Sequence, residues 1–112
     1  MTEEEYKQLM SDYGFSVVED DLASPGMYHV AYFGNINWHN AFAAFDTDDG
    51  EVTIYPQLYF EKSQGICILN DKKIDTKDIN ELRTVVKDLA EQYKNLLVIQ
   101  KKEEIKKDFE NE

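Results

Sequence analysis

The feature that most constrains the fold is a change of hydrophobic period near residue 75. Upstream, apolar side chains recur with a spacing close to two. Downstream, Ile79, Leu82, Val86, Leu89, Tyr93 and Leu96 alternate by three and four. A period of two belongs to strands buried on one face, and a period near 3.6 belongs to a helix with one apolar stripe. A chain carrying first one and then the other predicts an antiparallel sheet followed by a long helix over 75–99. Val85 and Leu97 widen the stripe beyond a strict coiled-coil seam, which favours packing on the chain's own sheet over dimerisation. The pattern fails after Ile99, and residues 101–112 are mostly charged. They are expected to form a solvated helical tail on a single domain of residues 1–100.

A second helix is predicted at the start. Thr2 and Glu5 have the spacing of a capping box, in which each side chain satisfies the other residue's backbone N–H. Tyr6, Leu9, Met10 and Tyr13 follow as an apolar stripe, and Gly14 is a stop signal, so the helix is set at 3–13. Between the helices, strands are expected at 15–18, 27–33, 36–46, 51–60 and 65–69, with Pro56 marking an edge or bulge. Ser24-Pro25-Gly26 closes a polar loop over 19–26. The fold class is therefore α+β: an N-terminal helix, an antiparallel sheet of four to five strands, and a long C-terminal helix, with both helices on one face. At 112 residues the chain is long enough to bury a core without covalent staples.

Turn chemistry suggests a register. If Gly34-Asn35 is a two-residue hairpin turn, one face carries Met27, Ala31, Phe33, Ile36, Trp38, Phe42 and Ala44, with His29 opposite Asn40. Trp38 and Phe42 are then core residues. A three-residue loop at Asp48-Asp49-Gly50 brings Val52, Ile54, Leu58 and Phe60 to the same face, with Ile54 opposite Ala44 and Phe60 opposite Trp38. The other face carries Tyr28, Val30, Tyr32, Asn37, His39, Ala41, Ala43 and Phe45, joined by Thr53, Tyr55, Gln57 and Tyr59. Tyrosine suits strands, and it is also enriched where proteins meet.

Catalytic and metal-binding signatures are weak. The register puts His29 and His39 on opposite faces, so they do not combine with Cys67 into a metal site, and no metal or cofactor is expected. The run Asp46-Thr47-Asp48-Asp49-Gly50-Glu51 has glycine at its fifth place and Gln57 at its twelfth, where a calcium loop needs glycine sixth and glutamate twelfth. A hairpin turn explains the same residues. Cys67 lies in an apolar strand, as a structural thiol does. There is no glycine-rich phosphate loop and no catalytic constellation, so no enzyme activity is expected.

Charge distribution carries more. The net charge is −11, and residues 1–61 hold twelve acidic side chains against the single base Lys7. Residues 62–112 hold eleven of each sign. The whole imbalance lies in the first half. Such a surface repels phosphate backbones, which argues against direct nucleic-acid binding, and it draws in basic proteins. A single cysteine, an acidic N-terminus unlike a secretory signal, and no apolar run of membrane-spanning length place the chain in the cytoplasm, away from membranes.

The leading expectation is a non-enzymatic acidic module that docks on a basic protein surface. Its contacts would be the acids Glu19, Asp20, Asp21, Asp46, Asp48, Asp49 and Glu51 together with Tyr28, Tyr32, His39, Tyr55 and Tyr59. In layout, size and charge the chain is similar to small acidic chaperones and to small phage or mobile-element proteins, including inhibitors that imitate nucleic acid. That similarity covers the architecture only and assigns no residue a role; separately, one basic partner such a module could take is a nucleic-acid-binding protein, which it would inhibit by occupying the phosphate track. The alternatives are a structural or assembly protein acting as a homo-oligomer, with a monomer or a homodimer through the C-terminal helix both open, and a small enzyme.

Overall fold

The computed structural model describes residues 1–20 and 28–110, with side chains given for 1–19 and 28–107. Asp21, the Ser24-Pro25-Gly26 turn and Met27 lie outside the described residues, as does the side chain of Asp20.

Helix α1 spans Glu3–Asp12 and starts as its sequence requires: Thr2 Oγ1 accepts from the Glu5 N–H at 3.2 Å, and Glu5 Oε1 accepts from the Thr2 N–H at 3.0 Å. It leads into β1 (Ser16–Asp20), then β2 (Tyr28–Tyr32), a 3₁₀ turn (Trp38–Asn40), β3 (Ala41–Asp46) and β4 (Glu51–Ile54). Strands β5 (Leu58–Glu61), β6 (Gly65–Ile68) and β7 (Ile74–Thr76) follow, and then helix α2 (Ile79–Glu110). Among the described residues all pairings are antiparallel, in one sheet ordered β1-β2-β3-β4-β7 and a separate β5-β6 hairpin. The α+β class and the order of its parts are those the periodicity predicts.

Both helices cover one face of the sheet. Tyr6, Leu9 and Met10 of α1 and Leu82, Val86 and Leu89 of α2 share one core with Ala31, Phe42, Ala43, Phe45, Val52 and Ile54. The Tyr6 ring stacks on Phe45 at 5.3 Å, and its hydroxyl donates to the His29 carbonyl at 3.0 Å. That burial pushes the Tyr6 hydroxyl far above its usual pKa. His29 is also buried. Its Nε2 lies 2.5 Å from Glu3 Oε1 but is not aligned for a hydrogen bond, and it does not meet Asn40. Asn40 instead donates to the Asn35 carbonyl at 3.0 Å.

The register differs from the sequence expectation at three places. First, Gly34-Asn35 is not a two-residue hairpin turn. Gly34 does take the left-handed conformation (φ +62), but the chain runs on through a loop and the 3₁₀ turn before pairing begins. Tyr32 pairs with Ala41 and Ala31 with Ala43, so Phe42 is an inserted β-bulge residue. A bulge turns consecutive side chains to one side, which is why Phe42 and Ala43 are both buried. Beyond it the faces are exchanged: Phe45 is in the core and Ala44 is on the other side. Trp38 and Ile36, expected in the core, are 77% and 62% exposed.

Second, the β3–β4 connection is the four-residue loop 47–50, since Asp46 pairs with Glu51. Val52 and Ile54 still reach the core, now opposite Phe45 and Ala43. Asp46 Oδ1 accepts from the Asp48 N–H at 2.9 Å and Asp49 Oδ1 from the Glu51 N–H at 3.0 Å, and Gly50 closes the turn at φ +69. Third, the strand expected over 51–60 breaks at Tyr55-Pro56-Gln57. Pro56 has no N–H to continue the ladder, and the chain leaves the main sheet there to form the β5-β6 hairpin.

Helix α2 starts four residues later than expected, because residues 74–76 form β7. Asp78 Oδ1 accepts from the Asn80 N–H at 2.9 Å, an N-capping contact. The charged tail continues the same helix to Glu110. No helix among the described residues is long and apolar enough to cross a membrane.

Candidate functional site

Among the described residues, no helix or strand packs on the face of the five-stranded sheet away from the helices. Its register positions are Ser16 and Val18 on β1, Tyr28, Val30 and Tyr32 on β2, Ala44 and Asp46 on β3, Glu51 and Thr53 on β4, and Asp75 on β7. Most are half-buried, and Val18 is exposed. The acids gather at the end of the sheet where Tyr28, Asp46 and Glu51 are successive register partners. Thr53 donates to Asp75 Oδ1 at 2.6 Å and fixes that carboxylate on the same face.

The second feature is a groove of about 820 Å³ between the 3₁₀ turn and the β5-β6 hairpin. Trp38, His39, Tyr55 and Tyr59 supply its aromatic walls, and Ile66 and Ile68 its aliphatic part. Asn37, Asn40, Gln64 and Asn70 contribute side-chain amides, and Ala41 and Cys67 complete the lining. Ala41 is the register partner of Tyr32, so the groove adjoins the open sheet face. Asn37 caps the 3₁₀ turn by accepting from the His39 N–H at 3.1 Å. On that turn the Trp38 and His39 rings lie against each other, with centroids 3.7 Å apart.

The far wall is clamped to α2 by one side chain. Gln92 accepts from the Leu58 N–H at 2.9 Å and donates to the Pro56 carbonyl at 3.0 Å. It thereby satisfies the backbone groups on either side of Gln57, just after the proline at which the strand breaks. Across the hairpin, Tyr59 pairs with Cys67, and the neighbouring thiol with some burial raises the Tyr59 hydroxyl above its ordinary pKa. Cys67 lies within 3.8 Å of Gln64 Oε1 and 3.5 Å of the Gly65 carbonyl, with no histidine among its hydrogen-bond partners.

The twelve residues expected to bind a partner fall into separate groups. Tyr28, Tyr32, Asp46 and Glu51 share the open face, and the backbone of Asp20 is the register partner of Tyr28. Asp48 and Asp49 stand on the adjacent β3–β4 turn. His39, Tyr55 and Tyr59 line the groove. Glu19 belongs to β1 rather than to a loop, and it pairs with His29 on the helix-covered side. The main residue missed by sequence reasoning is Trp38. The signal was present in its surroundings: from Gly34 to Asn40 only Ile36 and Trp38 are apolar amid three asparagines, a composition of turns rather than of a buried strand.

Compared with protein-family models, with curated proteins and with solved structures, the chain matches none.

Proposed function

We propose that this protein is a non-enzymatic binding module whose open sheet face docks on a basic surface of another protein. The observation that carries the reading is that both helices pack on one side of the sheet and that, among the described residues, no element covers the other side, with tyrosines beside carboxylates. Helix-covered sheets bury one face, and the uncovered face is ordinarily polar throughout. Here Val18, Tyr28, Val30 and Tyr32 make the β1-β2 side of the face largely apolar, and Asp46, Glu51 and Asp75 lie on β3, β4 and β7 beside it. A desolvated aromatic centre with charged edges is how protein interfaces divide affinity from encounter rate. The excess of acid in residues 1–61 selects a basic partner. A nucleic-acid-binding protein, which this module would inhibit by occupying the phosphate track, is one such partner.

The test is capture from a lysate of the source cell by immobilised protein at low and high salt. It compares the wild type with a variant carrying Asp46→Asn, Asp48→Asn, Asp49→Asn and Glu51→Gln. The asparagines keep the Oδ1 atoms that hold the turn, so charge changes without loss of fold. A basic protein retained by the wild type at low salt should be lost at high salt and from the variant. Equal retention by both proteins refutes the reading.

One observation favours the homo-oligomer alternative: Leu97, Val98, Ile99 and Ile105 of α2 are 42–51% exposed. Sedimentation velocity separates the two, since a dimer through α2 would dissociate on Ile105→Lys and Val98→Lys.

A further inference from the structure

The groove beside the open face has a property that the charge of the chain makes unusual. Of all residues in the protein 31% are charged, yet none of the twelve that line the groove is Asp, Glu, Lys or Arg. Four of them carry aromatic rings: Trp38, His39, Tyr55 and Tyr59. The groove is thus an uncharged, ring-lined recess in a protein of net charge −11.

Each ligand class meets this differently. An anion finds no cation to pair with and is repelled by the protein as a whole. A small, strongly hydrated cation finds no carboxylate in the recess to replace its water. A broad, weakly hydrated cation suits the site, because aromatic faces attract it through their quadrupoles, tryptophan most strongly. Guanidinium is the protein side chain of that description, and its planar group can also donate to amide and hydroxyl oxygens along one edge. Such oxygens are available on Asn70, Gln64 and Tyr59.

We infer that the groove receives an arginine side chain of the basic partner, stacked against Trp38 with Tyr55 and Tyr59 beside it. This rests on the proposed docking of a basic surface and names the anchor within it. Trp38 is suited to the role by its placement: it stands on a capped 3₁₀ turn, His39 backs its ring, and 77% of its surface remains exposed. A tryptophan has only two side-chain torsions to order on binding, so more of the contact appears as affinity. The acids Asp46 and Glu51 lie at the opposite end of the same strands, so they add to the long-range field that draws a cation toward this side of the protein, and the rings hold it.

Trp38 is the only tryptophan of the chain, so its fluorescence reports on the groove directly. The probe is a capped peptide of alternating glycine and arginine, titrated into the full-length protein. Matched peptides carry lysine or citrulline, the latter having nearly the shape of arginine without its charge. The arginine peptide should change Trp38 emission saturably, with lysine roughly three- to tenfold weaker and citrulline weaker still. Calorimetry with Trp38→Leu, which keeps an apolar side chain but removes the ring, should show about tenfold loss, with circular dichroism unchanged.

Three results would overturn the inference: no binding of the arginine peptide, equal binding of arginine and citrulline peptides, or equal affinity in wild type and Trp38→Leu. A peptide that binds both proteins equally but is lost from the acid-neutralised variant would leave the docking of a basic surface standing while removing its arginine anchor. Capture of a basic protein that depends on the four acids, with no response of Trp38 to any peptide, would do the same.

Discussion

Replacing Phe42 and replacing Trp38 by alanine should differ sharply in cost, and the contrast tests the bulge that sets the sheet register. Phe42 is 1% exposed, meets Phe15 edge-on with centroids 4.7 Å apart, and lies 6.3 Å from Phe33. Phe42→Ala removes the ring and leaves a cavity walled by two other phenylalanines. Such substitutions cost about 3–5 kcal/mol. That is a large fraction of the roughly 5–15 kcal/mol that holds a domain folded. With a urea dependence of about 2 kcal/mol per molar, the unfolding midpoint should fall by about 2 M. Trp38 is 77% exposed and its ring contact is with His39, so Trp38→Ala should change stability by no more than about 0.5 kcal/mol. The assay is urea unfolding followed by far-ultraviolet circular dichroism, because one variant lacks the fluorophore. A Trp38→Ala midpoint lowered as far as that of Phe42→Ala would refute the argument. It would mean that Trp38 packs inward and that a two-residue turn at Gly34-Asn35 sets the register.

Gln92→Ala should destabilise the β5-β6 hairpin by about 1–3 kcal/mol, since it strands the Leu58 N–H and the Pro56 carbonyl. Hydrogen exchange of the Leu58 amide should accelerate before that of β2 and β3, and uniform acceleration would count against a local clamp. Acid should weaken the N-terminal helix. The backbone N–H of Thr2 holds the Glu5 carboxyl below its ordinary value of 4.5, and Lys7 does the same for Glu3. A depressed native pKa adds stability above the unfolded value and loses it as pH falls through the native one. Unfolding midpoints should therefore drop below about pH 4.5, and Glu5→Gln should flatten that drop. An unchanged acid profile in Glu5→Gln would remove the carboxylate from the account.

The sequence alone determined the parts that depend on local chemistry. The capping box of Thr2 and Glu5 sets where α1 begins, the spacing from Ile79 to Leu96 makes α2 a helix, and alternation makes the middle of the chain a sheet. Lopsided charge was equally legible, since it needs no coordinates. What the tertiary structure decided was register, because register depends on how many residues a connection uses and the sequence does not count them. Seven residues from Gly34 to Asn40 could make a tight turn and a strand, or a loop and a 3₁₀ turn. Local preference separates these by little, and burial of Phe42, Ala43 and Phe45 against α1 and α2 separates them by much. That choice carried Trp38 from the expected core to the surface, and with it the candidate site. The groove escaped sequence reasoning for a related reason. Its walls come from residues 37–41, 55–59 and 64–70, which meet only because Pro56 ends the main sheet and Gln92 fixes the departing hairpin to α2. Contacts between segments distant in the chain are set by the packing of the whole core, and no local pattern encodes them.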